Sequence, residues 1–162
     1  MIRLARQGDM ESIVAIYNRA IAAKFQTAFT EQLDAEKSAS WFSQFLDKVY
    51  PMFVYTEADE VIGWLSISPY RSGREALRYT VEVSYFIHPD HQLQGIGQKL
   101  LQHGLDACMG LNYKTVLAII LDKNIASIRL MEKFGFEKWA YLPGVADFDG
   151  VECGHLYYGL RL

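Results

Sequence analysis

Scarcity bounds this chain before any motif does. Its 162 residues hold two cysteines, Cys108 and Cys153, neither in a CxxC pair nor near a histidine at metal-ligand spacing. That pattern excludes a disulfide scaffold and suits a reducing, cytoplasmic compartment. The four prolines are spread out, with no low-complexity segment or repeat between them, so a long disordered tract is not expected. No stretch reaches the roughly 18 consecutive apolar residues of a membrane span. Met1 to Asp9 lack the basic segment and apolar run of a secretion signal, so neither a membrane nor export is expected. An excess of positive charge is missing too: 16 Lys and Arg stand against 19 Asp and Glu, scattered, for a net charge of −3. Nucleic acid is therefore not an expected partner. A phosphorylated small molecule stays open, because a few backbone amides hold phosphate without a basic protein.

What the chain does have is apolar mass. Hydrophobic residues make up 51% and aromatics 14% of it, enough for one compact domain over residues 1–162 with a core of its own. Ile2 and Leu4 alternate as a short strand, and Asp9 stands as an N-cap before the helical face Ile13, Val14, Ile16 and Tyr17. The stretch Lys24–Gln32 is a loop whose Phe25 and Phe29 either cover the core or line a pocket. A second helix is predicted from Asp34 to Lys48 through Trp41, Phe42, Phe45 and Leu46. Met52–Thr56 and Val61–Ser68 form a hairpin about Ala58-Asp59-Glu60, with Gly63 a candidate bulge. An Arg-bearing loop, Tyr70 to Glu75, precedes a long strand from Arg78 to His88. From about Gly95 the small and apolar residues Gly97, Leu100, Leu101, Gly104, Leu105 and Cys108 recur at helical spacing, one face to lie on a sheet. Val116–Leu121 is a buried strand, Asn124–Phe134 a helix closed by Gly135, and Phe136–Leu142 and Leu156–Leu162 two more strands. The order predicts an α/β fold, a mixed central sheet flanked by helices, with a β-α-β-α-β second half. Ligands in such sheets favour the crevice beyond the strand ends.

The chemistry concentrates in Gln92-Leu93-Gln94-Gly95-Ile96-Gly97-Gln98, between a strand and the helix it opens. Glycines at this spacing let backbone N–H groups approach an anion, and the positive end of the helix dipole adds to them. It is neither GxGxxG nor GxxxxGK[ST], so a dinucleotide fold and a P-loop kinase lose support. Some thirty residues on stands Asn124-Ile125-Ala126-Ser127-Ile128-Arg129-Leu130-Met131-Glu132-Lys133-Phe134-Gly135-Phe136. Together the two segments resemble the GNAT superfamily of N-acetyltransferases. There, Gln/Arg-x-x-Gly-x-Gly/Ala holds the pyrophosphate of coenzyme A, and an Asn at the next helix start contacts its pantetheine arm. The resemblance implies acetyl-CoA as co-substrate, held by Phe86, Ile87, Gln92 to Gln98, Asn124 and Ser127. His88 and His91 flank Pro89-Asp90, but two histidines without further ligands at suitable spacing make no metal site, and none is expected.

A narrower similarity runs through Ile16-Tyr17-Asn18, Arg71, Arg74, Thr80-Val81-Glu82, Pro89 and Gln92. These look like the phosphinothricin acetyltransferase group, which acetylates the α-amine of small amino acids and analogues such as methionine sulfone and sulfoximine. The resemblance implies a homodimer, a small-molecule amine as partner, and Glu82 as the base that frees the amine of its proton. The same carboxylate could instead pair with Arg71, Arg74 or Arg78. Arg71 and Arg74 are candidates for gripping a carboxylate or phosphinate, and Phe29 for lining the substrate pocket. Backbone amides near Phe86 and Ile87 would hold the cofactor arm and polarise the thioester carbonyl. The sequence departs from the group at Met131, where relatives carry Tyr or His, which leaves Tyr141, Tyr85 or water to protonate the leaving thiolate. It departs again at Gly150-Val151-Glu152-Cys153-Gly154, where the group often carries a His and an Asp. A coenzyme A sensor, or an enzyme acting on protein N-termini or aminoglycosides, stays open as an alternative.

Overall fold

The computed structural model describes residues 1–45 and 49–162. Among the described residues the strands and α-helices follow one another as β1 (Ile2–Leu4), α1 (Met10–Ala22), α2 (Ala35–Ser43), β2 (Met52–Glu57), β3 (Glu60–Pro69), β4 (Thr80–Ile87), α3 (Ile96–Gly110), β5 (Thr115–Leu121), α4 (Ile125–Lys133), β6 (Glu137–Phe148) and β7 (Val151–Arg161). The strands form one seven-stranded sheet in the order β1-β2-β3-β4-β5-β7-β6. Among these neighbours β4 and β5 run parallel and the others antiparallel, so the expected mixed α/β sheet is present.

Strand alternation sorts the core onto two faces. Trp64, Val54 and Met52 pack with Ile13, Ile16 and Phe42 of α1 and α2, and the indole N–H of Trp64 donates to the Ile13 carbonyl at 3.2 Å. Leu65, Ile67, Val81 and Val83 pack on the other face with Leu100, Leu101, Leu105 and Cys108 of α3. The Cys108 thiol is thus core, and burial pushes its pKa up to about 12. Gly104 is needed for that contact, because a Cβ there would stand 2.8 Å from Leu65 Cδ2.

Several local expectations shift. Asp9 precedes α1 but does not cap it with its side chain. Its carboxylate turns back to accept from the Arg3 guanidinium at 2.7 and 2.8 Å and from the Arg6 N–H. Helix α2 starts on an Asp34 cap and ends at Ser43, where the Ser43 hydroxyl donates to the Ser40 carbonyl and competes with the helix; Leu46 and Lys48 lie outside the described residues. The β2–β3 register shifts between Tyr55 and Thr56, leaving Ile62 as the extra residue beside Gly63. Strand β4 starts two residues late, because Arg78 ends the short turn Glu75–Leu77. The last two strands are longer than expected, twelve and eleven residues, joined at Asp149-Gly150, both at positive φ. Pro143 and Gly144 look like a break but sit in a bulge, since Leu142 pairs with His155 and Ala146 with Cys153. No helix among the described residues is long and apolar enough to cross a membrane.

Candidate active site

The site is built where the parallel pair comes apart. Strands β4 and β5 are paired only from Thr80, Val81 and Glu82 to Thr115, Val116 and Leu117, and each then runs on for several residues. Bonds from Tyr70 N–H to the Thr80 carbonyl and from His88 N–H to the Ile62 carbonyl fix which way the β4 backbone faces. Even-numbered residues bond to β3, so the peptide groups of Tyr85 and Ile87 face the opening. The backbone of Phe86 therefore belongs to β3, opposite Trp64. Phe86 serves the opening with its ring, and Ile87 supplies the free amide.

One cleft, of about 280 Å³, lies on the α3 and α4 side of this opening. Its anion end is the start of α3, capped by Gly95 at φ +78, where the first N–H groups of a fifteen-residue helix have no carbonyl partner within it. Gln92, Leu93, Ile96, Gly97 and Gln98 line it with Gly95. Gly97 keeps the helix close to β4, because a Cβ there would already touch Tyr85 and Leu130 at 3.4 Å. Gln94 does not line the cleft; its side chain reaches the Asp90 carbonyl. On the far wall Asn124 caps α4, accepting from Ser127 N–H at 3.3 Å. Ser127 in turn accepts from the Tyr85 phenol at 2.9 Å. A nucleotide-linked pyrophosphate with an extended amide arm fits this donor set: amides for phosphate, then an unpaired strand edge for the arm.

A second pocket, of about 390 Å³, lies on the α1 and α2 side. Its floor is the opposite face of the same strands: Ser68 beside Glu82, Ser66 beside Ser84 and Trp64 beside Phe86, in register. Its roof is aromatic. Tyr17 stacks on Trp41 at 5.3 Å and meets Phe29 edge-on at 5.8 Å, while the Asn18 amide clamps the loop above by two hydrogen bonds to Leu33. Phe29 is thus a pocket residue, whereas Phe25 packs on Phe148 at 4.9 Å. Gln26 and the Phe86 ring line both cavities, which meet there.

Glu82 stands on this floor, half-buried. Burial alone lifts its carboxyl pKa from about 4.5 to about 7, with no arginine contribution. Arg71 and Arg74 are exposed and do not line the pocket; the Arg71 guanidinium lies 5.6 Å from the Tyr70 ring. Met131 is fully buried in the core and outside both cavities. Of the candidate proton donors, Tyr85 lines the cleft, while Tyr141 stands outside it and donates to Asp122 at 2.9 Å. His88 and His91 face each other at 5.6 Å, and among the described residues no group of three or more His, Cys, Asp or Glu is placed to hold a metal.

Ser84 and His155 are among the contributors that escape the sequence. Period-two alternation from Glu82 would have found Ser84, but His155, which also lines the second pocket, carries no local signal. The departure at Gly154 has a physical reason: a Cβ there would fall 2.2 Å from the Tyr141 ring.

Residues 14–136 match the model of the acetyltransferase (GNAT) family. The chain is 37% identical over 150 residues to YwnH of Bacillus subtilis, covering 92% of this chain and 91% of that one. It is 34% identical to the L-methionine sulfoximine/L-methionine sulfone acetyltransferase of Salmonella typhimurium, over 94% and 86%. The phosphinothricin acetyltransferase of Sinorhizobium meliloti, solved with acetyl-CoA, superposes with a TM-score of 0.94 at 27% identity, over 100% of this chain and 88% of that one. A helix start with free N–H groups, a splayed strand pair and a half-buried carboxylate across it are therefore accounted for together: the chain belongs to the acetyltransferase (GNAT) family, acetyl-CoA-dependent N-acetyltransferases.

Proposed function

We propose that this protein acetylates the α-amine of a small amino acid or analogue of the methionine sulfone, methionine sulfoximine or phosphinothricin type. The observation that carries the reading is Glu82: a half-buried carboxylate with its pKa raised to about 7, facing the acceptor pocket. The printed activity of the Salmonella relative supports the substrate class.

Acetyl-CoA, when bound, supplies the acetyl group as a thioester. The chain's own residues do the rest. Glu82 accepts a proton from the ammonium, directly or through water, and leaves a neutral nitrogen. The free Ile87 N–H holds the arm beside the opening and polarises a carbonyl placed there. The aromatic roof excludes water around the amine, which strengthens both interactions. As the C–N bond replaces the C–S bond, the Tyr85 phenol, turning from Ser127, protonates the departing thiolate and recovers its proton from the acylated nitrogen; a free thiol has a pKa near 8.5, so the demand is modest.

A second copy pairs along β6, one of the two outer strands of the sheet, where Trp139, Leu142 and Val145 are exposed. The two buried free thiols suit a cytoplasmic location. The test is thiol release from acetyl-CoA at pH 8 with methionine sulfone, methionine sulfoximine, phosphinothricin, an N-terminal peptide and an aminoglycoside. Turnover on an amino-acid analogue is expected; turnover on the peptide or aminoglycoside alone refutes the substrate class.

A further inference from the structure

Among the described residues the acceptor pocket holds one carboxylate and one imidazole, and burial alone shifts each of them: Glu82 upward and His155 downward. No hydrogen bond or ion pair to another described residue satisfies either; the His155 ring only meets Tyr157 edge-on at 5.8 Å. Both sit on one face of the sheet. Glu82 stands opposite Leu117, and His155 opposite Leu121, four residues along the same strand. Two strand spacings across and four residues along separate their backbones by roughly 16 Å. Both side chains line the one pocket, so a small zwitterion can lie between them with a hydrogen bond at each end.

Among the described residues the pocket's lining contains no Lys or Arg to answer an acid, and Arg71 and Arg74 stand outside it, exposed; Tyr17, Gln26 and Thr27 are uncharged donors away from the floor. Every other polar side chain on its floor is an uncharged serine.

We propose that His155 is a specificity-determining residue: its ring N–H donates to the carboxylate of the amino-acid acceptor while Glu82 faces the amine, so that the pocket reads both ends of the zwitterion. This rests on the amino-acid reading above. A neutral imidazole suffices, because a carboxylate accepts from any well-placed N–H and gains most where water is excluded.

The test is steady-state kinetics on L-methionine sulfone and on its decarboxylated counterpart, 3-(methylsulfonyl)propan-1-amine, for wild type, His155→Leu and His155→Asn. His155→Leu is expected to raise KM for the amino acid by about tenfold or more, the usual effect of losing a hydrogen bond to a charged group. It should leave kcat within about twofold and KM for the carboxylate-free amine unchanged. His155→Asn keeps an N–H donor and should restore most of the loss, which a merely structural role would not allow. An equal rise in KM on both compounds, or no rise on either, overturns the proposal. So does a rise for Arg71→Ala/Arg74→Ala where His155→Leu gives none. Wild type that acetylates no amino acid would instead sink the amino-acid reading and this inference with it.

Discussion

Replacing Glu82 by Gln is expected to move turnover and stability in opposite directions. The carboxyl is lifted from about 4.5 to about 7 by burial, so the folded chain prefers it protonated. A group raised in the fold stabilises below its unfolded value and loses that contribution as pH climbs through the folded value. At about 1.4 kcal/mol per tenfold, the cost of ionising it saturates near roughly 3 kcal/mol above pH 8. Glutamine carries no such cost. Between pH 5.5 and 8.5 the variant should therefore gain roughly 2 kcal/mol on the wild type, or about 4–8 °C in Tm for a chain of this length. Over the same range wild-type turnover should rise through about pH 7 as the base ionises. The variant should lose roughly 10²- to 10⁴-fold, equivalent to about 3–5 kcal/mol of barrier. Thermal melts and thiol-release rates at matched pH check both. A stability gap that does not widen with pH refutes the burial argument; turnover that survives the substitution refutes the base.

Three further outcomes are expected. Tyr85→Phe removes the phenol that donates to Ser127, and should lower kcat several-fold at pH 7 with less effect at pH 9, where the thiolate leaves unaided; a pH-independent loss would show only a packing role. Asn124→Ala removes the α4 cap and should lower stability by about 1 kcal/mol and raise KM for acetyl-CoA, measured by melts and initial rates. Gly154→Ala drives the Tyr141 ring away from Asp122 and should destabilise by about 1–3 kcal/mol in denaturant titration, with little change in KM for acetyl-CoA.

Legibility follows the range of the interaction. Helix α3 could be read from residues 100, 101, 104, 105 and 108, because one helix against one sheet leaves a periodic trace. The Gly95 turn and the Asn124 cap were legible for the same reason: each is settled within a few residues. The β6–β7 hairpin was only half legible. Pro143 and Gly144 suggest a stop, and only the register with β7 reveals a bulge; Gly154 and Gly159 lie bare because rings from the neighbouring strand, Tyr141 and Trp139, occupy the space of their side chains. His155 was illegible because its role depends on a strand far away in the chain. Arg71 and Arg74 show the converse, residues of suitable chemistry that the fold leaves facing solvent.

The placement of the two cavities on opposite sides of β4 bears on how such a protein can change. Odd-numbered residues of that strand serve the α3 side and even-numbered ones the α1 side, with Phe86 alone reaching both, so Ser84 can be exchanged without disturbing Tyr85 or Ile87. Recognition of the donor and of the acceptor is thereby written on two sides of a single ribbon. A new amine can be accommodated by rewriting one side, and the grip on the invariable partner carries over intact.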